Sequence, residues 1–211
     1  MKKFCAFSNY NVYLRKIIEK SEMKHYILIK HFFLFMLLAV ICSCASYRNT
    51  VTVISGANYD KKNDSTTFFR FPYGSVSFSG EWTKATYVET SKQQFFTNSD
   101  SVIFSVALNP IVKYEFNADG SKTGFDFVQS YYQWDTDFLI SQIEGLKSEI
   151  LGSDNVNNIL IYRLFNEKGI NNYFLISEKN GISMILTETD SDKWSHEQRI
   201  SFLKDVYKTY K

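Results

Sequence analysis

"NYFLISEKNGISMILTET", Asn172 to Thr189, decides the fold. Two runs rich in β-branched, aromatic and aliphatic residues flank Asn180-Gly181. Both central residues of a two-residue type I′ turn need positive φ, which Asn and Gly tolerate best, so the stretch predicts a β-hairpin. The run just before it, "NILIYRLF" (Asn158 to Phe165), supplies a third strand. The carboxy-terminal half therefore carries a three-strand meander.

Downstream, "SHEQRISFLKDVYKTYK" reads as a terminal helix. Ser195 and Gln198 have capping-box spacing, and Ile200, Leu203, Tyr207 and Tyr210 form an apolar face. Upstream, Phe125 to Leu151 switches to a helical period. Leu139, Ile143, Leu146 and Ile150 fall on one stripe, with Asp135 or Thr136 placed to cap the helix and Gly152 to end it. Phe127, Val128 and Tyr131 suit an earlier helical turn. Before that helix the pattern is β: "TTFFRF", "SVSFSG", "KATYVE", "QQFFT" and "SVIFSVAL" are separated by Gly, Pro, Asn and Ser. Val102, Phe104, Val106 and Leu108 alternate with smaller residues, Asn109-Pro110 ends that strand, and "IVKYEF" leads to a turn at Asp119-Gly120. The expected fold class is α+β, an antiparallel sheet packed against two main helices.

The aromatic opening "FRFPYGSVSFSGEW", the strand ending "SVALNP", the long helix, the meander and the terminal helix containing "ISFLKDVY" resemble the PsbP family and its bacterial lipoprotein relatives. The similarity covers residues 66 to 211 and rests on the order of elements. It implies PsbP-like α/β/α layers and a non-enzymatic accessory or binding role. No metal-site residue carries over from it.

The amino-terminal end is unlike the rest. In "HFFLFMLLAVICSCAS" the uncharged run from Phe32 to Ile41 is about ten residues, short of the ~20 that span a bilayer, and has the length of a signal-peptide apolar region. Lys24, His25 and Lys30 supply the preceding positive charge. Ile41-Cys42-Ser43-Cys44 resembles a bacterial lipobox, in which the invariant cysteine thiolate takes a diacylglycerol and the freed amine a further acyl chain. Cys44 fits that cysteine; Cys42 fits less well, because Ile41 would stand where a small side chain is favoured. The alternative is a buried helix or a retained anchor. Met23-Lys24-His25 makes an ordinary start, so translation is expected to begin at Met23. The chain divides into a leader (1–43), a lipidated cysteine and tether with one short strand at "VTVIS" (44–65), and a single α+β domain (66–211).

Charge and cysteine content narrow the function. Residues 45–211 hold 17 Lys and Arg against 20 Asp and Glu, a net −3, with no clustered cations, which argues against nucleic-acid binding. The cysteines are Cys5, Cys42 and Cys44, so the body has no disulfide and no thiolate. Its one histidine, His196, follows Ser195, and adjacent residues at a helix start diverge; Ser195 serves better as a cap. A tetrahedral zinc site of N and S ligands is disfavoured, and no cofactor is expected. Asp135, Asp137, Asp190 and Asp192 remain as carboxylates, read as helix caps before calcium ligands. Tyr131, Tyr132, Trp134 and Phe138, with Trp82 elsewhere, are either core or the lining of a ligand pocket. Tyr131 and Tyr132 are adjacent, so on a helix one of them reaches solvent or a partner.

Three readings of function follow. The first is a lipid-anchored, periplasm-facing protein of the bacterial envelope that binds another envelope protein, with Tyr131, Tyr132 and Trp134 as the interaction surface. A second is a carboxylate-based hydrolase or metal-dependent enzyme, and a third a carrier of a hydrophobic ligand.

Overall fold

The computed structural model describes residues 51–189 and 193–211. The leader, Met23 and Cys44, and with them Asp190 and Asp192, lie outside the described residues. Ten strands and two helices follow: β1 (Ile54–Asp60), β2 (Ser65–Phe71), β3 (Gly74–Ser79), β4 (Thr83–Val88), β5 (Gln93–Thr97), β6 (Ile103–Pro110), α1 (Gly124–Gln142), β7 (Lys147–Asp154), β8 (Ile159–Phe165), β9 (Asn171–Lys179), β10 (Ile182–Thr189) and α2 (His196–Lys208). Among the described residues no helix is long and apolar enough to cross a membrane.

All pairings are antiparallel. β4-β5-β6-β10-β9-β8-β7 form a seven-stranded sheet, and β1-β2-β3 form a second, three-stranded sheet. The α+β class is as expected, with a second sheet added. The meander β8-β9-β10 forms as read: Ile182 faces Lys179 across a two-residue turn, with Asn180 at φ 54° and Gly181 at φ 77°.

Alternation along the central strands sorts side chains to the two faces of the large sheet. Leu160, Tyr162, Leu164, Phe174, Ile176 and Ile185 point toward α1, where they meet Phe127, Val128 and Tyr131. Ile161, Tyr173, Leu175, Met184 and Leu186 point the other way, against Leu203 and Val206 of α2 and Phe68, Val76 and Phe78 of the small sheet. The layers are thus α1, the seven-stranded sheet, and then α2 beside the small sheet. Each buried ring or branched side chain contributes about 1.5–3 kcal/mol. Trp82 belongs to the second layer, stacked on Phe202 at 5.5 Å between ring centres, and is core.

Three expectations need correction. The tether ends early, because Ile54–Asp60 pairs with β2 from Ile54 opposite Phe71 to Asp60 opposite Ser65; the folded unit begins near Thr52, and "VTVIS" supplies only the first residues of β1. "IVKYEF" is not a strand but two 3-10 turns, Ile111–Lys113 and Glu115–Asn117. Buried Asn117 holds that loop, its amide donating to the carbonyls of Ile111 and Lys122 while its Oδ1 accepts from the Lys122 N–H. The first helix stops at Gln142. Ile143 is already extended, Gly145 turns the chain at φ 73°, and Leu146 and Ile150 belong to a turn and to edge strand β7.

The capping box of α2 is complete: the Gln198 N–H donates to Ser195 Oγ and the Ser195 N–H donates to Gln198 Oε1. Ser195→Ala is expected to cost about 1 kcal/mol, read as a drop of about 2–4 °C in thermal unfolding.

Candidate functional site

Helix α1 carries the residues singled out as an interaction surface, and the structure separates them. Tyr131 is buried, in edge-on contact with Tyr114 at 5.2 Å and with Trp134 at 5.8 Å. Tyr132 is half-buried, its ring edge-on to Tyr162 at 5.0 Å and its hydroxyl donating to Ser148 Oγ at 3.1 Å on β7. Of the adjacent tyrosines, then, one is core and the other reaches the sheet edge. Trp134 is 38% exposed, leaning on Phe116 at 5.6 Å, and Phe138, one turn further, is 59% exposed. Residues at i and i+4 share a helix face, so Trp134 and Phe138 form an apolar stripe facing solvent. Beside it Ile140 is exposed as well, Asp126, Gln129, Gln133 and Asp137 are exposed polar or acidic residues, and no lysine or arginine occurs from Gly124 to Gln142.

Under the stripe lies a polar cluster that the sequence did not announce. Asp135 is not a cap. It sits well inside α1 with its carboxyl turned inward, accepting a hydrogen bond from the Tyr162 hydroxyl at 2.8 Å. Burial raises its pKa above the ordinary value of 3.8, making it a weaker acid, and the Tyr162 bond partly offsets the rise. Burial also pushes the Tyr131 and Tyr162 phenols well above their ordinary value, with the nearby Asp135 charge adding to both. Tyr114 is raised for the same first reason, while its hydroxyl shares a hydrogen with Ser183 Oγ at 2.8 Å. Phenols so shifted stay protonated and act as donors: the Tyr162 hydroxyl ties β8 to α1, and Tyr114, in the loop between the two 3-10 turns, ties that loop to β10.

Thr136, the other expected cap, is buried and donates back to the Tyr132 carbonyl at 2.7 Å within the helix. The start of α1 is satisfied from a distance. Glu178 of β9 accepts the Gly124 N–H at 2.8 Å with one oxygen and the Gly181 N–H at 2.6 Å with the other, bracing helix start and hairpin turn together. A carboxylate there also complements the helix dipole.

A titration isolates Asp135. A carboxyl with a raised folded-state value adds stability below its ordinary value and loses it as pH rises through the folded value. Asp135→Asn, which keeps an acceptor for Tyr162, removes that loss. Urea unfolding from about pH 4 to pH 7 is expected to show the variant gaining on the wild type as pH rises.

Among the described residues the remaining polar candidates do not converge. Asp137 accepts from Gln133 Nε2 at 2.7 Å on the exposed side of α1, away from Asp135. Ser195 Oγ is a cap, and His196 Nδ1 bonds the Tyr173 hydroxyl at 2.8 Å, so the two do not pair. Among the described residues no three His, Cys, Asp or Glu side chains gather as a metal-ligating group. Beneath α1 the rings lie in contact: Tyr162 stacks on Phe174 at 4.6 Å, and Phe127 lies tilted against Phe116 of the second 3-10 turn at 5.5 Å.

The layers define an α+β domain of two helices and antiparallel sheets, the class that the order of elements implied. Among solved structures, the chain is similar to the solution structure of cyanobacterial PsbP (CyanoP) from Synechocystis sp. PCC 6803, at 13% identity and a TM-score of 0.41, covering 80% of this chain and 98% of that one. A crystal structure from Bacteroides thetaiotaomicron VPI-5482, at 12% identity and a TM-score of 0.36, covers 66% of this chain and 44% of that one. No family model and no curated protein matches the sequence.

Proposed function

We propose that the protein is a lipid-anchored component of the bacterial envelope, acylated at Cys44, that binds another envelope protein through the outer face of α1. The observation that carries the binding reading is the Trp134 and Phe138 stripe, 38% and 59% exposed on a helix whose inner face is fully engaged. A tryptophan backed by packed rings is the kind of rigid apolar anchor that dominates interface energies. The acidic setting selects the partner. Asp137 lies beside the stripe and no Lys or Arg occurs on the helix, while Asp126, two turns before Trp134, pairs with Lys122 at 3.7 Å; the complementary surface is an apolar pocket with Lys or Arg at the rim near Asp137. The anchor reading rests on the lipobox-like Ile41-Cys42-Ser43-Cys44.

Photocrosslinking in living cells tests the binding surface. With p-benzoylphenylalanine at position 138, a discrete heavier protein adduct is expected. Recovery of monomer alone, with full incorporation of the photoprobe, contradicts the proposal.

A further inference from the structure

One end of the outer face of the small sheet is apolar, while the rest of that face carries Asn58, Asp60, Ser65, Thr67, Ser75 and Ser77. Along β2 the inward residues Thr66, Phe68 and Arg70 are buried, so Phe69 and Phe71 point outward. Their cross-strand partners on β1 are Gly56 and Ile54. Ile54 and Phe71 are each 60% exposed, directly opposite one another, and Val53 beside them is exposed as well. The Phe69 ring lies across Gly56, where an added Cβ would come within 2.5 Å of it, and sits 5.9 Å from the Phe71 ring. The result is a low apolar surface at one end of the sheet.

That end is bordered by cations and tyrosines. The turn after Phe71 holds Tyr73, whose carbonyl accepts the Tyr210 hydroxyl at 2.8 Å, and the Lys179 ammonium stands 5.8 Å from the centre of the Tyr210 ring. Lys211 pairs with Ser75 through its backbone at the same edge, N–H to carbonyl in both directions. Exposed aromatic and aliphatic side chains beside lysines suit the boundary between headgroups and acyl chains of an anionic bilayer. The α1 stripe, with aspartates and no cation, does not, and it lies on the opposite side of the seven-stranded sheet.

Chain length supplies the second argument. Ten residues lead from Cys44 to Ile54, and a polypeptide of that length reaches at most about 35 Å however it is arranged. The geometry points to a bilayer-apposed face: Val53, Ile54, Phe69 and Phe71 rest in the lipid interface, with Lys179 and Lys211 toward anionic headgroups, while α1 faces away toward its partner. This inference rests on acylation of Cys44.

Single-thiol labelling tests it, since no cysteine follows Cys44. Full-chain protein in which Cys5 and Cys42 are replaced by serine, carrying Phe71→Cys, Ile54→Cys or, on α1, Ser141→Cys, is labelled with an environment-sensitive fluorophore. It is then reconstituted into vesicles of phosphatidylethanolamine and phosphatidylglycerol with brominated acyl chains, and the acyl state of Cys44 is read separately by mass. Quenching at 71 and 54 at least about twice that at 141 is the expected result. Equal, water-like signals at all three sites in protein whose Cys44 is acylated overturn the inference and leave the anchor standing. An unmodified Cys44 removes the anchor, and the inference with it.

Discussion

Arg199→Ala is expected to lower the unfolding free energy by about 3–5 kcal/mol, the largest single effect of any substitution outside the hydrophobic clusters. Arg199 of α2 is buried against buried Glu188 of β10, with 3.4 Å between Nη1 and Oε2. The guanidinium also donates to the carbonyls of Asn171 and Trp194 and lies over the Tyr173 ring at 5.0 Å. Truncation takes the cation from beside a buried carboxylate and strips donors from two half-buried carbonyls at once. Arg199→Lys retains the charge but not the planar fork, so its loss should fall between alanine and wild type. Urea unfolding at neutral pH measures both. A loss under about 1 kcal/mol for the alanine variant, the range of exposed pairs, would show that the pair does not hold α2 to the sheet.

The second large effect is on binding. Trp134→Ala combined with Phe138→Ala is expected to weaken association with the partner by about 2–4 kcal/mol, a hundredfold or so in affinity. Folding should change little at position 138, where the ring is mostly in solvent, and somewhat more at 134, where the indole leans on Phe116 and Tyr131. Crosslinking yield from a neighbouring position on α1, normalised to folded protein, reads the loss. An unchanged yield would move the interface elsewhere.

Local signals made part of the fold legible. Asn180-Gly181 specified a hairpin through a backbone requirement that few residues meet, and Ser195 with Gln198 specified a helix start through two reciprocal hydrogen bonds. The helix Phe125–Leu151 was overdrawn because Leu139, Ile143, Leu146 and Ile150 keep a helical spacing by coincidence across a helix end, a turn and an edge strand. Gly145 was the available signal: a glycine at left-handed φ after a helical run marks its end. Pairing of β1 to β2, which makes the second sheet, depends on register between segments, and no single residue encodes it.

The site was legible to a similar depth. One of the adjacent Tyr131 and Tyr132 is expected to reach solvent or a partner, but Tyr131 is buried and Tyr132 is half-buried against Tyr162 and bonded to Ser148. Asp135 looked like a cap because an aspartate before apolar helical residues is ambiguous. Its true partner, Tyr162, is 27 positions away, and the Glu178 that braces Gly124 is 54 away. Long-range hydrogen bonds of that kind have no sequence period to betray them.

The most direct measurement is the mass of the amino-terminal peptide of the protein recovered from membranes. A chain beginning at Cys44 with diacylglycerol on its thiol is the predicted result. It would place the domain at a bilayer. A recovered peptide running through Cys42-Ser43-Cys44 with both thiols unmodified would contradict the account.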